Sequence, residues 1–407
     1  MNATGRIVIT GMGVVSPIGI GVEAFHRALA EGKSGISVME FPWQTGYKVL
    51  RAGQVKDSEL RVFHSDAPKM GRASELALAA SKLALEEAGL DFPPRQANRI
   101  GLVAGTAMGD ATELEEDWQR FHQNRDSCPN GDFPEWMRLG NLSDRVAAIL
   151  GLEGPSHLVA TTCSAGNHAI AWSTELLKSG AADVMLAVGA DTIGFVDMLG
   201  FTRLLLQAPE RCQPFDLHRK GTILSEGGAA VVLEALGAAK RRGAKILAEV
   251  AGYGLSCDAA GPFASSIQNT RGMRVAAERA FRSAQISPDQ IDHVSAHGSA
   301  TRLNDHKETV FLKEILGSHA YKVPINSIKS MLGHTQGAAS LMEAIACVLT
   351  LSLGLIYPTT NYETPDATCD LDYVPNQARE QRVETILSDS FGVGGNNALV
   401  IFRRWEG

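Results

Sequence analysis

Three residues able to do nucleophilic and acid–base chemistry stand far apart in this 407-residue chain: Cys163, His297 and His334, with Lys329 close to the last. Cys163 lies in Thr161-Thr162-Cys163-Ser164-Ala165-Gly166. Before it, Ser156-His157-Leu158-Val159-Ala160 reads as a short buried strand; after it, Ala169, Ile170, Trp172, Leu176 and Leu177 recur at helical spacing. A sulfur at such a junction faces the unpaired N–H groups of a helix start, which favour a thiolate. Ser164, Ala165 and Gly166 are small enough to let a thioester approach. Taken alone, the same cysteine also fits an inert buried thiol.

The histidines sit in Ala296-His297-Gly298-Ser299-Ala300-Thr301, with Asp305 and Glu308 following, and in Asn326-Ser327-Ile328-Lys329-Ser330-Met331-Leu332-Gly333-His334, with Glu343 further on along a helical face. Each follows an apolar strand or turn and abuts glycine. That pattern can deliver a side chain into a cleft at a strand end. Either one alone also reads as a structural histidine.

The elements that must position these residues are those of a two-part α/β protein. The chain is long for a single core, and 44% hydrophobic with 20% charged residues suits a soluble protein with a large interior. A net charge of −7 argues against nucleic acid as the main partner. Six cysteines without a CxxC pair suit a reducing cytosol and form neither a disulfide framework nor a zinc motif. No secretory signal is evident, and the longest uncharged apolar stretch, Ala344 to Tyr357, is too short to span a bilayer. It reads as a core helix running into a strand. Membrane association is therefore not expected, and a cytoplasmic location is.

A faint internal repeat divides the chain into residues 1–250, carrying the cysteine, and 251–407, carrying both histidines. Arg99–Thr106 echoes Ile291–Ser299, the opening strand Arg6–Gly13 echoes Ile246–Gly254, and Ala182–Gly189 echoes Ala398–Phe402. Both halves alternate strands with crossover helices, the pattern of layered α/β architecture.

Cys163, His297, His334, Lys329 and the closing loop Ser390-Phe391-Gly392-Val393-Gly394-Gly395-Asn396 together resemble the elongating β-ketoacyl-acyl-carrier-protein synthases of the thiolase-like superfamily. Asp183-Val184-Met185, Pro214-Phe215-Asp216 and Glu226-Gly227-Gly228-Ala229 fit as well, so the resemblance spans essentially the whole chain. Thiolases have a second cysteine near the glycine loop, and the initiating synthases have asparagine where His334 stands. Chain-length factors, the inactive partner subunits, lose the nucleophile. The elongating, decarboxylating group remains.

The resemblance implies two similar halves in an α-β-α-β-α arrangement, no cofactor of the enzyme's own, and substrates carried on the phosphopantetheine of an acyl carrier protein. It implies an acyl-enzyme on Cys163 and an oxyanion hole from the backbone N–H groups of Cys163 and Val393. His297 and His334 would stabilise the enolate left when a malonyl thioester loses CO2. Lys329 would position Glu343 or His334, and Asp305 and Glu308 would support the site. Ser299 and Thr301 would bind pantetheine, while Met108, Phe201, Phe391 and Val393 would shape the acyl pocket. Lys69, Arg72, Arg203 and Arg211 would flank the carrier's docking face. The partner subunit would be a second copy or a related ketosynthase-like chain.

Three departures matter. Val393 replaces a gating phenylalanine, and Asp389 and Ser295 replace asparagines, which puts the family's monovalent ion near Glu343 in doubt. The altered gate favours a specialised polyketide or polyene pathway. Housekeeping fatty-acid elongation, a non-catalytic partner subunit, and a decarboxylase or acyltransferase without condensation are the alternatives.

Overall fold

The computed structural model describes residues 5–39, 50–60, 63, 70–123, 141–259 and 269–407. Five strands come from the first half: β1 (Ile7–Ser16), β2 (Ile100–Gly105), β3 (Ser156–Val159), β4 (Val184–Asp191) and β5 (Gly227–Ala235). Five come from the second: β6 (Ala248–Cys257), β7 (His293–Ser295), β8 (Ile325–Asn326), β9 (Thr385–Phe391) and β10 (Asn396–Arg404). They follow one hydrogen-bonded path, β8-β7-β9-β10-β6-β1-β5-β4-β2-β3, with Gly19–Ile20 folded back on β1.

Each strand of the first half thus occupies the place of the strand five later. The pairings β2–β3, β2–β4, β7–β8 and β7–β9, at the two ends of the path, are parallel, and the pairings between them are antiparallel. This register corrects one echo. Val184–Asp191 corresponds to Thr385–Phe391, and the closing strand corresponds to Gly227–Ala235. All four are mostly buried strands, and burial alone does not separate a parallel strand from its antiparallel neighbour.

Three cores make the layers. Helices α1 (Arg72–Glu87) and α2 (Asn141–Leu150) pack on one face of the first half. Helices α3 (Ala165–Lys178) and α7 (Ala339–Leu353) fill the middle, against strands of both halves. Helices α5 (Arg271–Ala284) and α6 (Arg302–Leu316) cover the far face of the second half. The result is α-β-α-β-α. A segment apolar enough to cross a membrane, Gln336–Leu353, is 89% buried inside this protein and is the core helix of the middle layer. The remaining helix that matters, α4 (Phe195–Arg203), follows β4.

β3 ends the path and is half-exposed rather than buried, because its far side has no neighbouring strand. The layout brings chemistry to one place. Cys163 immediately precedes α3, and His334 lies just before α7, so the two central helices begin at the same centre. His297 follows β7, and Val393 occupies the turn from β9 to β10.

The halves also share a packing device. β1 carries Gly11 and Gly13 under α1, and β6 carries Gly252 and Gly254 under α5. A Cβ at Gly13 would lie 2.0 Å from the Ala80 carbonyl oxygen, and one at Gly254 would lie 1.9 Å from that of Ala276. Gly13→Ala and Gly254→Ala should each destabilise the fold by about 1–3 kcal/mol or more through overpacking. Urea unfolding that moves by less than a tenth of that would contradict this close approach.

Candidate active site

Cys163 sits on a single helical turn, Thr162–Ser164, entered through Thr162 at φ 54°. Ser164 Oγ donates to Thr161 O, and Ser390 Oγ donates to Cys163 O, which ties the turn to β9. Thr162 Oγ1 donates to Val393 O at 3.2 Å. That contact requires glycine next door, since a Cβ at Gly392 would lie 2.5 Å from Thr162 Oγ1.

His334 Nε2 is 3.0 Å from Cys163 Sγ. On the other side of the ring, the Gln336 backbone N–H donates to Nδ1 at 3.2 Å. Nδ1 is therefore the acceptor, and Nε2 carries the proton and donates toward the sulfur. Gln336 holds a left-handed backbone at φ 50°. Its side-chain amide is fastened to Thr192 O at 3.1 Å and Asp197 Oδ2 at 3.3 Å.

His297 has the same arrangement by different means. Lys329 Nζ lies 3.5 Å from its Nδ1, donates to its carbonyl at 2.6 Å, and pairs with Glu343. Lys329 thus serves His297 and Glu343, not His334. The two imidazoles meet edge to face with centroids 5.6 Å apart.

Burial holds both imidazoles well below the ordinary histidine range, and the positive charge of Lys329 pushes the same way. Both are neutral at pH 7 and offer one N–H each. Burial also pushes the Cys163 thiol up to about 11, against the Lys329 charge and the N–H groups of Val393 and Cys163. Removing the sulfur from water thus opposes the resting thiolate that the turn's N–H groups favour.

The sulfur and a nitrogen of each histidine lie within 4.8 Å of one another, the spacing of a soft-metal site. Their surroundings have the opposite polarity. A metal-binding imidazole turns its other N–H to an acceptor, whereas both Nδ1 atoms here face donors. The geometry suits donation of hydrogen bonds into the cavity.

That cavity, of 280 Å³, is lined by Cys163, both histidines, Ser299 and Thr301. Thr301 Oγ1 lies 3.0 Å from Ser299 Oγ and caps α6 by accepting from Asn304 N–H. Phe201 of α4 meets the His334 ring edge-on at 6.3 Å, and Phe391 meets His297 at 6.0 Å. Phe391 also packs on Phe311, so it is a fixed wall. Val393 stands at the mouth, 42% exposed. Leu204, Leu206 and Leu303 add an apolar lip that residue-type reasoning had not marked.

Other expected residues stand behind the cavity or away from it. Met108 is not part of the cavity lining; its N–H donates to Asp191 in the turn that follows β2. Asp305 accepts from Phe215 N–H and faces Arg219 at 3.7 Å. Glu308 accepts from Gly298 N–H. Of the docking cations, Lys69 lies outside the described residues. Arg72 is committed to Glu226 and Asp57 and donates to Val55 O, so it is not a free docking charge. Arg211 is held by both oxygens of Glu363. Arg203 is exposed beside the cavity lip. Gln336 and Asp191 were missed; Asp191 accepts from Ala107, Met108, Gly109 and Gly337 N–H and so joins two site loops. A carboxylate closing an apolar strand was the available signal.

Because its thiol is raised, alkylation of Cys163 by iodoacetamide should accelerate about tenfold per pH unit between about pH 7 and 9 without a plateau. A plateau below pH 8 would show a thiolate at rest and contradict the burial argument.

The family described as Beta-ketoacyl synthase, N-terminal domain, matches residues 4–239, and Beta-ketoacyl synthase, C-terminal domain, matches residues 247–363. The chain is 36% identical, over 99% of its length and 98% of the relative's, to the tetracenomycin polyketide synthase ketoacyl synthase alpha subunit of Streptomyces glaucescens. It is 33% identical to 3-oxoacyl-[acyl-carrier-protein] synthase 2 of Synechocystis, over 98% of each chain. Among solved structures, the ishigamide ketosynthase/chain length factor superposes with a TM-score of 0.91 at 34% identity, covering 99% of this chain and 100% of the other. With the nucleophile, both histidines and the layered fold in place, the chain belongs to the β-ketoacyl synthases, condensing acyltransferases of thiolase-like fold.

Proposed function

We propose that the chain joins an acyl group held on Cys163 to the two-carbon unit of a malonyl thioester, both delivered on the phosphopantetheine arm of an acyl carrier protein. One observation carries this reading: two neutral imidazoles are locked so that each Nε2–H points beside the sulfur. A hydrolase needs one base, whereas two fixed donors suit an oxygen that gains charge.

In the first half-reaction Sγ attacks the acyl carbonyl, the bond to the carrier's sulfur breaks, and the thiol proton ends on that leaving sulfur. The N–H groups of Cys163 and Val393, both of which favour negative charge on Sγ in the free enzyme, are the donors for the tetrahedral oxyanion. In the second half-reaction malonyl loses CO2, and the enolate oxygen rests on His297 and His334. The enolate carbon then attacks the acyl group, and Cys163 leaves as a thiolate that takes up a proton. Lys329 holds His297 in register throughout.

The polyketide assignment is supported by the similarity to a polyketide synthase alpha subunit and by Val393 at the mouth. Fatty-acid elongation is the second reading, supported by the similarity to a 3-oxoacyl synthase. A ketosynthase-like partner subunit is proposed against the free side of β3, where half-exposed Trp172 packs on His157. The carrier would dock over Arg203 and the exposed Leu204 and Leu205. The proposed location is cytoplasmic.

Incubation with malonyl-carrier protein and a panel of acyl-carrier proteins, read by intact mass, tests the reaction itself: chains longer by two carbons are expected, and acyl transfer without extension would reject condensation. His334→Ala should still form acyl-enzyme while CO2 release falls about 10²–10³-fold. Loss of acylation with decarboxylation intact would reverse the roles.

Val393 is short and stiff at χ1, so it leaves the mouth open where a longer side chain would sweep across it. Val393→Phe should narrow the accepted acyl groups toward saturated straight chains and slow conjugated ones. An unchanged ranking across both classes would remove the argument for a specialised pathway.

A further inference from the structure

Behind His297 lies a group of buried acids that the reaction scheme does not use. Asp389, on β9, accepts the His297 backbone N–H on Oδ1 at 2.7 Å. Glu308, on α6, accepts the next backbone N–H, that of Gly298, on Oε2 at 2.9 Å, together with the Asn304 side-chain amide. Gly298 is left-handed at φ 38° and Ala300 at φ 61°, so this pair of acids holds a strained turn. The two remaining oxygens, Glu308 Oε1 and Asp389 Oδ2, are buried and have no hydrogen-bond partner. The two carboxyl groups are close enough for each to shift the other's affinity for a proton. Neither carboxylate can donate to the other, so a direct bond between them needs a proton held in common.

The residues present do not fit the monovalent ion that the family resemblance implies near Glu343. Such an ion needs several oxygens turned to a common point. Glu343 Oε1 is taken by Lys329, and the Ser295 hydroxyl is turned to Cys347. Glu343 Oε2 and Ser388 Oγ also lack partners, but Ser388 points to the opposite face of β9 from its neighbour Asp389. With asparagine at position 389, an amide could donate to ionised Glu308 and no proton would be shared. Aspartate cannot donate unless one acid is protonated.

We propose that Glu308 and Asp389 share a single proton, and that this proton, in place of a metal ion, fixes the backbone of His297 and Gly298. The two acids are positioning residues: they touch the backbone of the catalytic histidine and not the substrate. The charged and titratable groups around the pair are Asp305 on the same helix, Lys329 and Glu343 from the middle layer, and Tyr373. Burial and the facing Asp389 hold the Glu308 carboxyl well above the ordinary range, while Asp389 is raised only to about 6. The linkage sign follows. A raised carboxyl contributes stability while its proton is bound, and that stability is lost as pH rises through the folded-state value.

Four comparisons, none requiring turnover, test this. Infrared difference spectra between the wild-type protein and Glu308→Gln at pH 8 should contain the C=O stretch of a protonated carboxyl, and its absence would overturn the proposal. Melting temperature should be the same in sodium, potassium and tetramethylammonium chloride at equal ionic strength. A saturable rise with sodium or potassium would restore the ion and reject the proton. Between about pH 7.5 and 9.5 the wild-type protein should lose at least about 3 °C more than Asp389→Asn, in which the introduced amide donates to ionised Glu308. Parallel alkaline losses in the two proteins would also overturn the proposal. Asp389→Leu, which can neither accept from His297 nor share a proton, should melt well below Asp389→Asn. Equal melting of the two would mean that the pair does not hold the turn.

Discussion

Everything at this centre depends on which nitrogen of each histidine carries the proton. Nδ1 of His334 receives a backbone N–H from Gln336, and Nδ1 of His297 faces the ammonium group of Lys329. Neither ring can place its proton there without opposing a donor. Burial removes the doubly protonated form, so each imidazole is left with one N–H, aimed at the cavity. The same desolvation keeps Cys163 a thiol until substrate arrives. One constraint thus sets the charge state of all three side chains, and it rests on donors that belong to the scaffold.

The scaffold supplies those donors by using one half-fold twice and decorating it differently. The central helices α3 and α7 begin side by side; one start presents Cys163 and the other presents His334. β7 leads into His297, and its counterpart β2 leads into the turn that Asp191 ties to Gly337. Glycines at matching points let the outer helices sit tightly on β1 and β6, which fixes the layer spacing on which the meeting of the helix starts depends. Duplication gives the geometry, and divergence at the strand and helix ends gives the chemistry.

Much of this was legible in residue types and their order. Cys163, His297, His334 and the glycine loop carry the family resemblance, and the repeat implies the layers. What stayed hidden were quantities that exist only after packing. The state of the Cys163 sulfur is decided by desolvation, which local sequence does not reveal. The resemblance left Lys329 between Glu343 and His334; it pairs with Glu343 and holds His297 through its carbonyl. Arg72 resembled a docking cation until Glu226 and Asp57, distant in sequence, closed around it. Gln336 carried no signal at all: its role depends on a left-handed backbone and a main-chain N–H, neither of which is a property of glutamine.

The measurement that bears most directly on this account is the ¹⁵N NMR spectrum of the histidine rings of the free enzyme, assigned with His297→Gln and His334→Gln. Both rings should remain neutral from about pH 5 to 8, with Nε2 protonated and Nδ1 unprotonated. A ring that titrates near the ordinary histidine value, or one that carries its proton on Nδ1, would contradict the arrangement on which the mechanism stands.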